Sequence, residues 1–307
     1  MRREHDPLGE FNVPVDAYYG VQAARARENF PISGLGPHPA FVRATVMVKK
    51  AAAMANAGTG RLPKSKADAI IAAADEVLAG KHLAHFVVDV FQAGAGTSHN
   101  MNSNEVLANR AIELLGGQRG DYSIVHPNDD VNMAQSTNDV IPTSMKIAML
   151  EVLVGLQESL AHMRAALEAK AHEFDTILKP GRTHMQDAVP IRLGQEFAAY
   201  ALTIKRASER LARASDAIKE LNIGATAVGT GLNAEPEYIT AVVQNLRKLT
   251  GFDMRGAESL VQATQSMGGV AEFSSAIRGL AIDLNKIAND LRLMSSGPFS
   301  GFGEIVL

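Results

Sequence analysis

A chain of 307 residues is long enough to bury a large core and to form about two domains at roughly 100 to 200 residues each. Its 46% hydrophobic and 21% charged residues exclude charge-driven disorder, and a net charge of −3 without a basic, aromatic-interleaved stripe offers nothing to a nucleic acid. The absence of cysteine excludes disulfide scaffolds, zinc ribbons, iron–sulfur clusters and thiol nucleophiles.

The opening MRREHDPLGEFNVP lacks the apolar stretch of a signal peptide, and no apolar run reaches the roughly 18 residues that a membrane span needs. A cytoplasmic protein with no membrane partner is therefore expected. Helices are predicted near Ala40–Ala57, Lys64–Ala79 and Asn104–Leu115, joined by connections rich in Gly, Pro and Asn. Strand signals are thin, limited to Asp121–Val125 and Thr176–Leu178, and no GxGxxG or P-loop spacing follows a strand. Residues 1–138 are expected to form a mostly helical N-terminal domain.

Residues 139–307 carry three long helical patterns, which predict part of a long-helix bundle and make the expected fold class mainly α. In Ile141–Phe174, Met149, Leu153, Leu156, Leu160, Met163 and Leu167 alternate at spacings of four and three, a heptad seam, with Pro142 expected in the first turn. The second rod is predicted from Pro190 to Leu221 and the third from Gln265 to Met294, with a short helix, Pro236–Leu249, between them and Gly251 ending it. The last residues, SSGPFSGFGEIVL, end on apolar side chains without a returning helix. Three rods are an incomplete bundle, so the expectation is a fragment or a chain that completes itself by association.

Three polar segments near helix boundaries can carry chemistry. Phe91–Glu105, FQAGAGTSHNMNSNE, crowds Thr97, Ser98 and Asn100 beside glycines; it reads either as a helix start capped by Asn102 or Ser103 or as an anion site at a helix N-terminus. NMAQSTN, Asn132–Asn138, has the same two readings ahead of the first rod. GRTHMQDAVP, Gly181–Pro190, is expected to open the second rod and supplies Thr183 and His184. His82 and His85 are spaced as a metal pair, but without clustered acidic ligands they read as a solvated helix edge; His126 reads as part of a Pro-Asn-Asp turn.

GAGTSHNMNSNEVLANR, HPNDDVNMAQSTND, GRTHMQDAVP, LGQE and GATAVGTGLN, in this order, resemble the aspartase and class II fumarase family along essentially the whole chain. The resemblance implies a helical protein with a central five-helix bundle, of which the three rods would be the first three, in a homotetramer whose active sites are shared between subunits. It implies a small dicarboxylate substrate and no nicotinamide, flavin or pyridoxal cofactor. A divalent cation such as magnesium, as activator, is not indicated by the sequence. Carried over, Thr97, Ser98 and Asn100 would bind a carboxylate, Ser136, Thr137 and Asn138 a carboxylate and an amino group, and Thr183 and His184 would complete the pocket, with Thr97 and His184 acting in catalysis.

Within the family, Tyr18-Tyr19-Gly20, GAGTS and Thr137 resemble enzymes that release ammonia from L-aspartate; HPNDD resembles the accessory dicarboxylate site of fumarases, though Ser123 stands where a basic residue is usual. Fumarate hydration is the alternative, and a non-catalytic helical interaction module a further one. The family's base-bearing loop, GSSxMPxKxN, is not among the 307 residues, and Phe299 stands where the family commonly has arginine. An inactive fragment is therefore one expectation.

Overall fold

The computed structural model describes residues 1–307 and is mainly α. In chain order the elements are β1 (Arg2–Asp6), β2 (Gly9–Val13), α1 (Val21–Asn29), α2 (Pro39–Gly58), α3 (Lys64–Leu78), α4 (Thr97–Leu114), α5 (Thr137–Glu173), β3 (Leu178–Thr183), β4 (Gln186–Arg192), α6 (Leu193–Ala214), β5 (Glu220–Leu221), α7 (Pro236–Thr250), β6 (Arg255–Gly256), α8 (Leu260–Gln265) and α9 (Gly268–Met294). Contacts divide the chain into two compact units, Met1–Glu151 with Lys219–Met267, and Val152–Ile218 with Gly268–Leu307. No helix is long and apolar enough to cross a membrane.

The first unit is built on α2, whose Ala44, Ala51, Ala52, Ala53 and Ala55 are buried. Small side chains let α3 and α7 pack closely against it, and Ile70 of α3 and Leu107 and Ile112 of α4 are fully buried. The antiparallel β1–β2 hairpin escapes sequence reading because RREHD has no apolar residue and GEFNV alternates over only four, with Phe11 and Val13 as its apolar pair. Val13 anchors it in the core, and polar contacts add to this: the Arg2 guanidinium donates to the carbonyls of Pro14 (3.1 Å), Ala17 (2.6 Å) and Tyr19 (2.8 Å), and to Glu4 (2.7 Å).

Two buried carboxylates sit at the N-terminus of α1. Glu105 accepts the N–H groups of Gly20, Gln22 and Ala23 at 2.8–3.1 Å, and Glu4 accepts that of Val21 at 2.8 Å. They satisfy donors that have no partner within the helix and meet the positive end of its dipole. Gly20 must be glycine, because a Cβ there would collide with the Tyr122 hydroxyl and both carboxylates.

In the second unit α6 buries Phe197, Tyr200, Ile204, Ala207, Leu211 and Ala214, the seam read from spacing, against α9. Along α9 only Phe273, Leu280, Ile287 and Met294 are buried, one per heptad, while Ile277 is 40% exposed. The Tyr200 hydroxyl donates to Asp290 at 2.8 Å, and Arg210 pairs with Asp283 at 2.6 Å.

Several boundaries differ from expectation. Pro142 lies inside α5, which starts at Thr137. A proline there frees the carbonyl four residues back, that of Asn138, and the buried Asn222 side chain donates to it at 3.1 Å. The second rod starts at Leu193 because Gln186–Arg192 pairs with Leu178–Thr183, and it ends at Ala214 with a 3-10 turn before Leu221. The third starts at Gly268, Leu260–Gln265 being a separate short helix. Asp121–Val125 is a turn, not a strand.

Burial pushes the Glu105 carboxyl up from 4.5 to about 7, against the pull of its three N–H donors. A carboxyl whose pKa rises on folding holds its proton more tightly in the folded chain. This contribution to stability is complete below pH 4.5 and is lost as the pH rises through about 7. Unfolding titrations across that window should show a fall of up to ~3 kcal/mol from this group. Glu105→Gln should flatten the profile; parallel profiles for the two proteins would locate the titration elsewhere.

Candidate active site

The first unit brings two helix starts together. Gly96 precedes α4 with φ +82°, and a Cβ on it would lie 2.8 Å from the Ile141 side chain of α5, so only glycine permits this approach. Gly96 supplies no side-chain cap; Gln92 accepts the His99 N–H at 2.7 Å, and the first turn presents exposed Thr97 and half-buried Ser98. Asn100 is buried, and its Nδ2 donates to Asn132 Oδ1 at 3.2 Å and Thr137 Oγ1 at 3.4 Å. Helix α4 thus begins seven residues before the expected Asn104. Asn102 and Ser103 are not caps: Asn102 bridges the Val87 N–H and the His85 carbonyl, and Ser103 donates to the His99 carbonyl.

At the start of α5, Ser136 Oγ accepts the Asn138 N–H at 3.3 Å, and Asp139 Oδ1 accepts the Ser136 N–H at 2.9 Å. This reciprocal pairing is a capping box, so the capping reading of Ser136 holds. Asp139 Oδ2 also accepts the N–H groups of Gly224 (3.1 Å) and Thr226 (2.9 Å), while Asn138 Nδ2 donates to the Ala227 carbonyl at 2.7 Å. The segment GATAVGTGLN is thereby tied to the α5 start. Between it and residues 128–136 lies a cleft of about 620 Å³ whose lining includes Arg61, Asn128, Asn132, Ser136 and Thr226. Ala134 (φ +59°) and Thr226 (φ +56°), both left-handed without being glycine, line it, the kind of strain that concentrates at functional sites.

Beneath these helix starts is a buried polar cluster that sequence reasoning missed. Lys49 of α2, fully buried, donates to Asn132 Oδ1 at 2.7 Å and Gln135 Oε1 at 2.9 Å. Burial pulls its ammonium down to about 7, opposed by the charge of Asp139. Asp139 is pushed up to about 6 by burial, against its N–H donors and Lys49. His99 falls to about 3 through burial and the nearby Lys49 charge, so its ring is neutral; Nε2 lies 3.1 Å from Thr45 Oγ1. A signal did exist: Thr45, Lys49 and Asn56 fall on the same stripe of α2 as Val42, Val46, Ala52 and Ala53, so three polar residues occupy core positions.

Thr183 and His184 belong to the second unit and do not open the second rod. They sit at the β3–β4 turn, where His184 (φ +52°) and Met185 (φ +62°) form a two-residue left-handed loop and the side chains of all three residues are exposed. Phe299 is fully exposed. His126 does organise its turn, its Nδ1 accepting the Asn128 and Asp129 N–H groups. His82 is no solvated helix edge: it is half-buried, 2.7 Å from a Glu76 carboxylate oxygen, with its ring edge-on to Tyr18. No group of three acidic, His or Cys side chains suited to a metal ion is present.

The sequence profile of the family described as Lyase matches residues 9–307. The chain belongs to this lyase family. It is 53% identical over 307 residues to an aspartate ammonia-lyase of a Bacillus species and 51% identical over 310 residues to that of Escherichia coli K12. These alignments take in 100% of this chain but 66% and 65% of the relatives, so the chain spans just under two thirds of their length. Among solved structures, a Brucella melitensis protein titled fumarate lyase:delta crystallin, bound to cobalt, matches with TM-score 0.97 and 51% identity over 98% of this chain and 66% of that one. A class II fumarase from Schistosoma mansoni matches with TM-score 0.94 and 36% identity over the same shares. The fold of this lyase chain is thus the fumarate-lyase fold, as the resemblance implied.

The closeness of α4 to Ile141 makes Gly96 sensitive. In this lyase chain Gly96→Ala should lower stability by about 1–3 kcal/mol, through left-handed strain and the collision with Ile141. Gly94→Ala, at a left-handed position with open space around it, should cost less. Denaturant unfolding of both variants measures the difference.

Proposed function

We propose that this chain provides part of an active site for the reversible elimination of ammonia from L-aspartate, giving fumarate. The observation that carries the reading is the junction of the two helix starts through Asn100 and Thr137, 3.4 Å apart. Two helix N-termini and their hydroxyl and amide side chains present donors in one place, which suits a dicarboxylate. Removing a proton from the carbon beside a carboxylate makes a doubly charged aci-carboxylate, and each well-placed donor to it is worth roughly 3 kcal/mol, about 10² to 10³ in rate.

Thr97 and Ser98 hold one carboxylate, with Asn100 beside them. Ser136, Thr137 and Asn138 hold the other carboxylate and the amino group. Thr183 and His184, on their strained turn, complete the pocket when subunits assemble as a homotetramer in the cytoplasm, His184 and Thr97 acting on the reacting groups. The Bacillus and Escherichia coli relatives named above, both aspartate ammonia-lyases, support this reading. The general base, which the family resemblance assigns to a serine loop, is not among these residues. Hydration of fumarate to malate is the second reading, supported by the similarity to a class II fumarase.

The assay uses the product of the complete reading frame, without added cofactor, and follows fumarate by its ultraviolet absorbance and ammonia directly. Malate formation with no ammonia release would transfer the assignment to the second reading. Thr137→Ala should lower kcat/KM for L-aspartate by roughly ten- to a hundredfold, the loss of one buried donor to substrate, with Thr137→Ser far milder. Because Ser136 and not Thr137 is the cap, the melting temperature should fall for Ser136→Ala, by the equivalent of about 1 kcal/mol, and stay unchanged for Thr137→Ala. Unchanged kinetics in Thr137→Ala would remove it from the site.

A further inference from the structure

The two ends of the Asn100 carboxamide have different surroundings. Nδ2 is engaged by Asn132 and Thr137, whereas Oδ1 is buried and has no partner. A carboxamide turns over at little steric cost, so the shape of Asn100 alone does not decide which end faces Thr137.

The deciding group is two side chains further in. An ammonium has three donors and no lone pair, so the end of Asn132 that faces Lys49 Nζ at 2.7 Å has to be its oxygen. The other end of Asn132 is held by the Gln135 carbonyl, to which Nδ2 donates at 3.3 Å. Gln135 is locked in the same sense: its Nε2 donates to the Val131 and Met133 carbonyls, and its Oε1 accepts from Lys49. The Asn132 oxygen then faces Asn100 as well, and Asn100 answers with its NH₂. Polarity therefore runs outward from Lys49: Nδ2 of Asn100 faces Asn132 and Thr137, and Oδ1, at the other end of the carboxamide, is left as a buried acceptor without a partner. The carboxylate of Asp139 favours the charged state of Lys49 on which this order depends.

We infer that Lys49 is a positioning residue that sets the polarity of the Asn132–Asn100 relay, so that Asn100 offers a carbonyl oxygen to the amino group of an amino dicarboxylate. This rests on the reading of the site as one for L-aspartate. A buried acceptor without a donor carries a desolvation penalty that an ammonium relieves and that a dicarboxylate lacking the amine does not. The relay thus contributes to the distinction between L-aspartate and succinate.

The test replaces Lys49 by Met, a chain of similar length without a donor, in the product of the complete reading frame. The KM for L-aspartate should rise by about tenfold while the inhibition constant of succinate changes by less than about twofold, the value of one acceptor seen by only one ligand. Asn100→Leu should reproduce that split, and the double variant should lose less than the product of the single effects, because both remove the same link. Lys50→Met, at an outward-facing position paired with Asp75, should leave both constants unchanged. Equal losses for both ligands, or fully multiplicative losses in the double variant, would overturn the inference and leave Lys49 a structural residue.

If Lys49→Met does not fold, Asn132→Leu breaks the relay at its next link and is read by the same split. If the unaltered protein binds neither ligand, the aspartate reading fails, and the relay is judged from the Asn100 side-chain amide resonances. These should be slow to exchange and shift in Lys49→Met but not in Lys50→Met; unchanged resonances in both variants would overturn it.

Discussion

The carboxylate of Asp139 accepts the N–H groups of Ser136, Gly224 and Thr226 while buried from solvent, and the geometry of the first unit around the site follows from it. One oxygen closes the capping box that starts α5; the other fastens the segment after β5 to that start. Through these bonds Thr137 takes its place beside Asn100, and Ser136 and Thr226 come to line the same cleft. A charged group in this position is tolerated because three donors and the Lys49 ammonium compensate its desolvation, and even so its carboxyl is raised to about 6.

Lys49 stands in the same relation to the hydrophobic core. Helix α2 would pack its stripe more cheaply with alanine or valine at positions 45, 49 and 56, yet it carries Thr45, Lys49 and Asn56 there, all buried. Their bonds run outward to His99, Asn132, Gln135 and the Met133 carbonyl, toward the helix starts that bear the candidate site residues. Polar residues buried beneath a site sacrifice core stability for fixed side-chain orientations above it. The unpartnered Nδ1 of His99 and Oδ1 of Asn100 belong to the same arrangement.

The second unit follows a simpler rule. Leu153, Leu160 and Leu167 of α5 and Phe273, Leu280, Ile287 and Met294 of α9 are buried at intervals of seven, while seam neighbours such as Leu156 and Leu284 are only half-covered. The hairpin that precedes α6 is held by cross-strand pairing and by Glu304, which meets both Lys179 (3.1 Å) and Arg182. These contacts support a turn that holds His184 and Met185 in left-handed backbone, a conformation that costs side-chain-bearing residues energy.

The long helices were legible in the sequence because burial along a rod repeats every three to four residues, and each residue reports its face through its own hydrophobicity. The order of polar motifs was legible too, and with it the family. The start of α4 was not, because Gln92 and the approach of Ile141 to Gly96 decide it, and neither lies within the helix. Nor was the place of Pro142 inside α5, which depends on a distant asparagine, Asn222, taking up the freed carbonyl. Of the two five-residue strands at the N-terminus the first has no apolar residue, and the hairpin is tied down by one arginine reaching across residues 14–19. Lys49 drew no attention in the sequence, because only tertiary packing places it beneath Asn132. Periodicity is a local property and survives in one dimension; a hydrogen bond between residues eighty positions apart exists only once the chain has closed.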